Sequence, residues 1–202
     1  MNAIQLLKDD HKKVRGLLAE LESTTNRGVK KRTQLLETIG KELRVHSKIE
    51  EEIFYPALKA ASQKSDDDKM YFEALEEHRA AGELVLPDLE KTDPSSDKFG
   101  GRAKVLKELV DHHAGEEEKD MFPRARQLLS AAELTALGAR MAARKRELMA
   151  GEPGMVAKAA GKVLDAISPP EGDADATPEI PATVRNRSAN GRGTGTRQGA
   201  SR

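Results

Sequence analysis

The sequence predicts an all-α protein: an antiparallel up-down-up-down four-helix bundle with a C-terminal helical extension and a disordered tail. Three observations carry that expectation. Apolar residues recur at steps of three and four, no stretch alternates with the period of a strand, and short turn-rich segments separate the periodic runs. The first helix, about Ala3 to Ser23, puts Leu7, His11, Val14, Leu18 and Leu21 on one stripe. Thr24-Thr25-Asn26-Arg27-Gly28 ends it, with Gly28 suited to a left-handed terminal conformation. The second, about Lys30 to Lys64, aligns Leu36, Ile39, Leu43, His46, Glu50, Ile53 and Ala57. The third begins near Asp66, where Ser65 ahead of consecutive aspartates reads as an N-cap with acidic residues on the positive helix end. It aligns Tyr71, Leu75, His78, Gly82, Val85 and Leu89. After a turn at Thr92 to Asp97, the fourth carries Leu106, Leu109, His113, Glu117 and Met121. Pro56 and Pro123 each remove one helical hydrogen bond, so a bend or stop is expected there. Ser130-Ala131-Ala132-Glu133 is a capping box that opens a fifth helix to about Met149.

Composition sets the outer limits. Charged residues make up 34% of the 202, above the roughly 25% of average globular proteins, which suits long solvated helices. With 4 Phe, 2 Tyr and no Trp, aliphatic and Ala side chains must build the core. Lys+Arg and Asp+Glu balance at 34 each, which removes the bulk electrostatic case for a nucleic-acid or membrane partner. The absence of Cys excludes disulfides, thiolate metal sites and iron–sulfur clusters, leaving nitrogen and oxygen as the only metal donors. The opening residues show no basic-then-apolar leader, and no run approaches the ~18 apolar residues of a membrane span. The expectation is a soluble, cytoplasmic protein. The chain divides into a bundle over residues 1–130, a helical extension over 131–168 that includes a short amphipathic segment at Met155 to Ile167, and a disordered tail over 169–202. That tail is acidic at Glu171 to Glu179, basic from Arg185 onward, and expected to be solvated.

The histidines obey a repeat. His11 and His46 are 35 residues apart, as are His78 and His113, so the two halves are offset by 67. The same offset relates Glu50 to Glu117 and Pro56 to Pro123, and His46 to Pro56 visibly matches His113 to Pro123. The bundle therefore reads as two copies of a helical hairpin, each contributing one His and then His-x-x-x-Glu. Residues i and i+4 share a helix face, so His46 with Glu50 and His113 with Glu117 can grip one centre. A lone His on an apolar stripe is ordinarily a satisfied core side chain. Four of them in register with two carboxylates cannot be absorbed unpaired, at roughly 1–3 kcal/mol each and more for the charges. Such nitrogen and oxygen donors suit non-haem iron or manganese, and metal pairs bridged by carboxylates are built inside helix bundles.

Asp10-His11, His46-x-x-x-Glu50 with Phe54 and Pro56, Glu77-His78, and His113-x-x-x-Glu117 with Phe122-Pro123 together resemble the hemerythrin-like family of HHE cation-binding type. The resemblance covers about residues 1–130. It implies a four-helix bundle holding two iron ions as an oxo- or hydroxo-bridged di-iron centre, with His11, His46, Glu50, His78, His113 and Glu117 as metal ligands. It also implies a small ligand: oxygen, nitric oxide or hydrogen peroxide. Oxygen-carrying members have a further histidine one turn from that on the third helix, where this sequence has Ala74 and Gly82. With four histidines instead of five, more coordination positions stay open, which favours peroxide disproportionation over reversible oxygen carriage.

Two functional classes remain at this stage: a di-iron protein acting on a small oxidant, and a non-catalytic oxygen, nitric oxide or iron sensor. Iron storage is disfavoured because ferritin-like sites use Glu-x-x-His, and no histidine here has Glu three residues before it. His112, whose counterpart is Val45, has Glu116 one turn on, so a register shifted by one residue is an alternative to His113 and Glu117. Glu118 is a second alternative to Glu117. Glu51, Glu52, Glu116 and Glu118 are expected on solvated faces, and Tyr71 is a possible hydrogen-bond donor to a bound ligand.

Overall fold

The computed structural model describes residues 1–62 and 65–151. The expected segment at Met155 to Ile167 and the tail from residue 169 lie outside them. All regular structure among the described residues is helical: α1 (Ala3–Glu22), α2 (Val29–Ile49), α3 (Tyr55–Ala61), α4 (Ser65–His78), α5 (Leu86–Glu90), α6 (Asp97–Glu116), α7 (Phe122–Leu128) and α8 (Ala131–Gly151). Three π-helical stretches, Glu50–Phe54, Arg79–Val85 and Glu117–Met121, join α2 to α3, α4 to α5 and α6 to α7, so these pairs form three continuous rods. With α1 they make the four bundle helices, and α8 is a fifth.

The rods alternate in direction, as the core residues record. The start of α1 (Ile4, Leu7) shares a cluster with Ile49, Phe54 and Leu58 from the far end of the second rod, and with Met121, Phe122 and Ala125 from the far end of the fourth. The end of α1 (Leu18, Leu21) joins Leu36 and Ile39, Leu86 and Leu89, and Phe99 and Ala103 in a separate cluster. At the latter end the buried Arg32 guanidinium donates to the Thr24 and Pro94 carbonyls at 3.1 and 2.7 Å, tying the 24–28 and 92–97 turns together. Gly28 serves as the N-cap of α2 with φ −84°, an ordinary right-handed value, so the expected left-handed stop is absent. The capping box at Ser130 and Glu133 is formed in both directions, with Ser130 N–H donating to Glu133 at 2.7 Å and Glu133 N–H to Ser130 Oγ at 3.3 Å. Through Leu134, Leu137 and Met141, α8 closes the first cluster. No described helix is long and apolar enough to cross a membrane.

Neither Pro56 nor Pro123 ends its helix. In each case the preceding residue donates its N–H five residues back, Tyr55 to the Glu50 carbonyl and Phe122 to the Glu117 carbonyl. The missing proline donor then falls in the first turn after a widened π stretch, where it interrupts least. The two π stretches are offset by the same 67 residues as the sequence repeat, and each begins at a repeat glutamate.

Candidate metal centre

The two apolar clusters do not meet. Between them lies a polar layer: His11 sits between Leu7 and Val14 on α1, His46 between Leu43 and Ile49 on α2, His78 at the end of α4, and His113 beyond Val110 on α6. All four histidines are at most 8% exposed, while Glu50 and Glu117 are 0% and 2% exposed. Helical period places the six side chains on the bundle axis, and each glutamate stands where its π stretch begins.

Their donor atoms converge. Glu50 Oε2 lies 3.1 Å from His46 Nε2 and 3.3 Å from His78 Nε2. Glu117 Oε2 lies 3.2 Å from His11 Nε2 and 3.7 Å from His113 Nε2. Two adjacent groups with metal-binding spacing result, His11–His46–Glu50–Glu117 and Glu50–His78–His113, and they share Glu50. The outer ring nitrogens face carboxylates. Nδ1–H donates to Glu118 from His11 (3.0 Å), to Glu51 from His78 (2.8 Å) and to Glu77 from His113 (2.8 Å). His46 Nδ1 faces Asp10 at 3.6 Å, beyond hydrogen-bond length. These partners obey the 67-residue offset as well, Glu51 pairing with Glu118 and Asp10 with Glu77. Glu51, Glu77 and Glu118 hold the tautomer in which Nε2 of His78, His113 and His11 offers its lone pair to the interior.

Such an interior suits a cation. His78 and His113 present Nε2 atoms to each other at 3.1 Å with both outer protons already engaged, an arrangement of facing lone pairs. His11 Nε2, His46 Nε2, both oxygens of Glu50 and Glu117 Oε2 are buried without a hydrogen-bond partner. Burial drives the His46 imidazolium down to about 4, so the ring is neutral at neutral pH despite the nearby Asp10 and Glu117. Burial, together with the charge of Glu117, holds the Glu50 carboxyl well above its ordinary value. Burial pushes Glu117 the same way, but the histidines packed around it outweigh burial and hold its carboxyl below the ordinary value. His113 rises because its bond to Glu77 and the charges of Glu117 and Glu50 outweigh burial.

The two candidate registers differ in burial. His112 is 61% exposed and meets Glu77 and Glu116 at 3.3 and 3.4 Å, away from the central cluster. Glu118 is 29% exposed and bonds the outer side of His11 and Arg15 instead of turning inward. Glu51 and Glu118 are thus not merely solvated, as expected from sequence, but orient histidines.

A model of the hemerythrin HHE cation-binding domain matches residues 2–171. The chain belongs to that family. A solved HHE cation-binding domain-containing protein from Mycobacterium kansasii, a homologue of Rv2633c, superposes with a TM-score of 0.65 at 31% identity, covering 74% of this chain and 88% of that one. An uncharacterised Mycobacterium tuberculosis protein, Rv2633c, is 32% identical over 164 residues, 80% of this chain and 96% of its own length. A DNA nickase from a Nostoc species is 29% identical over 130 residues, and the chain spans about a third (35%) of that protein.

One residue at the centre escaped the sequence. The Tyr55 hydroxyl donates to Glu117 Oε1 at 2.9 Å and lies 3.4 Å from His78 Nε2, whereas Tyr71 packs against the Tyr55 ring edge-on at 6.0 Å. The repeat held the signal. Tyr55 and Phe122 both precede the repeat prolines, and each stacks on the first-helix histidine of the other half, Tyr55 on His78 at 5.6 Å and Phe122 on His11 at 5.7 Å. Only one of the two carries a hydroxyl.

Proposed function

We propose that this chain holds two iron ions through His11, His46, Glu50, His78, His113 and Glu117, and acts on a small oxidant, hydrogen peroxide ahead of oxygen or nitric oxide. The observation that carries the reading is the pair of adjacent donor groups sharing Glu50, built from buried imidazoles and carboxylates in which both oxygens of Glu50, Glu117 Oε2 and the Nε2 atoms of His11 and His46 have no hydrogen-bond partner. Residues 1–130 supply every one of these donors, and the helix after them extends the bundle.

When bound, the metal pair would supply the Lewis acidity and electron exchange that convert two molecules of hydrogen peroxide into two of water and one of oxygen. The protein's part is positional. Glu51, Glu77 and Glu118 keep three Nδ1 atoms protonated and three Nε2 lone pairs available. Tyr55 keeps its proton on the hydroxyl, since burial and the neighbouring Glu50 and Glu117 raise its pKa well above the usual value. That hydroxyl is a proton donor aimed at the cluster from the bundle interior. A cavity of about 570 Å³ bordered by Val14, Leu43, Val110 and Gly82 reaches the four histidines, with Arg44 and Arg79 also on its wall. A side chain at position 82 would enter open space, since an added Cβ meets nothing within 4 Å. Small oxidants can reach the rings by this path.

The test is reconstitution with Fe2+ under anaerobic conditions. Two irons per chain and oxygen evolution from peroxide, lost in Glu50→Ala, are expected; one structural zinc or no retained iron would sink the reading. Sensing is the second reading, and one contact favours it. Lys145 of α8 bonds Asp10, which faces His46, so the state of the centre has a path to the fifth helix. Iron retention with negligible turnover, and α8 hydrogen exchange that changes with ligand, would favour the sensor.

A further inference from the structure

We propose that Glu77, His112 and Glu116 form a second, outer site for a divalent cation, which supplies the central cluster through the cleft between α4 and the fourth rod. This rests on the central metal reading but uses side chains that are not among its metal ligands.

Four observations meet here. Glu77, His112 and Glu116 bring one donor atom each within metal-binding range of one another, with His112 Nε2 3.3 Å from Glu77 Oε1 and 3.4 Å from Glu116 Oε1. The set is graded in exposure: His112 is 61% exposed, Glu116 43% and Glu77 18%. It is open enough to take a hydrated ion and shed its waters one at a time. Glu77 is shared with the centre, because its other oxygen, Oε2, accepts from His113 Nδ1 at 2.8 Å. Beneath the trio, a cavity of about 200 Å³ runs between α4 and the fourth rod, edged by Glu73, Glu77, Glu116 and Asp120 and floored by His113 and Glu117. Glu117 is 2% exposed and its Oε2 has no hydrogen-bond partner. The cleft therefore leads from a rim of four carboxylates, two of which also contact His112, to a buried carboxylate with one unpartnered oxygen, with room on the way for several waters.

The chemistry assigns the class of ligand. One imidazole nitrogen and two carboxylate oxygens, with the remaining positions left to water, suit a borderline divalent ion such as Fe2+, Mn2+ or Co2+. Anions are repelled by the rim. The larger cavity has Arg44, Lys48 and Arg79 among its lining residues, whereas the cleft is lined by carboxylates with no Lys or Arg, so the cleft is the better route for cations. The sequence also marks the asymmetry: the counterpart of His112 in the first half is Val45, so the outer site exists on one side only.

The test uses the full chain stripped of metal and titrated with Co2+, whose visible absorption reports each site. Unmodified protein should bind three Co2+ per chain, two of them retained on desalting. His112→Ala/Glu116→Gln should bind two, both retained, and fill them at least fivefold more slowly at substoichiometric Co2+. A double variant that still binds three ions, or that fills the central pair as fast as the unmodified chain, overturns the proposal. Failure of the central reading looks different: unmodified protein would retain no Co2+ on desalting, whatever the double variant does. The double variant's melting curve without metal should match that of the unmodified chain, because both altered residues are solvent-facing.

Discussion

Acid should destabilise the metal-free chain through His46 in a defined window. In the fold its imidazolium is held at about 4 by burial, against 6.5 for the free side chain. The folded value is depressed, so the unfolded chain takes up a proton first. Stability is thus intact above pH 6.5, falls as pH drops below it, and the loss is complete near pH 4. A shift of two and a half units corresponds to about 3 kcal/mol in all, of which about 2 kcal/mol is lost between pH 7 and pH 5. Glu50 works the other way, because its carboxyl is held high in the fold and takes up a proton there before it does in the unfolded chain. Comparison with His46→Gln separates the two, since Glu50 is present in both proteins. Urea unfolding of chelator-treated protein at pH 7 and pH 5 should show the unmodified chain losing about 2 kcal/mol more than the variant. Parallel pH dependence would refute the claim that His46 is buried neutral with its lone pair free for a metal.

Further expectations can be checked with the same preparations. His113→Ala should lower retained metal, measured by elemental analysis, far more than His112→Ala, because only the former ring is buried beside Glu50 and Glu117; the reverse order would shift the register of α6 by one residue. Holo protein should melt above apo protein, by an amount that grows with free metal concentration, and equal calorimetric curves would mean that the central cluster holds no ion. Tyr55→Phe should cost the metal-free chain about 1–3 kcal/mol in urea unfolding, since a buried carboxylate oxygen loses its donor. Gly138→Ala should destabilise by about 1–3 kcal/mol, because its Cβ would fall 2.6 Å from the Ala3 nitrogen and 2.7 Å from the Met1 oxygen. Gly82→Ala, which meets nothing within 4 Å, should not destabilise.

Much of the candidate site was legible because helical period and an internal repeat act on residues close in sequence. His46 and Glu50 share a face by spacing alone, and the 67-residue offset carries that inference to His113 and Glu117. The roles of Glu51, Glu77, Asp10 and Glu118 were not legible in that way. Each is a carboxylate on a polar helix flank, and only the packing of neighbouring rods decides whether it meets solvent or a ring nitrogen. Tyr55 was hidden for a related reason. With ideal α-helical spacing it leaves the Glu50 stripe, and the π stretch that returns it to the interior depends on the fit between rods as well as on Pro56.

The sequence by itself therefore determined the helical class, the two-fold hairpin repeat, the separation of donors from water by long apolar stripes, and the nitrogen-and-oxygen character of any metal site. Those properties follow from local period and residue chemistry. The tertiary structure alone decided that the two apolar clusters stay apart around a polar layer, that the glutamates sit between the histidine pairs with Glu50 common to both groups, and that His112 faces outward while His113 faces in. These depend on rotation and register of whole helices against one another. A turn of about 100° per residue moves a side chain from core to solvent, and only the contacts of the assembled bundle select among such rotations.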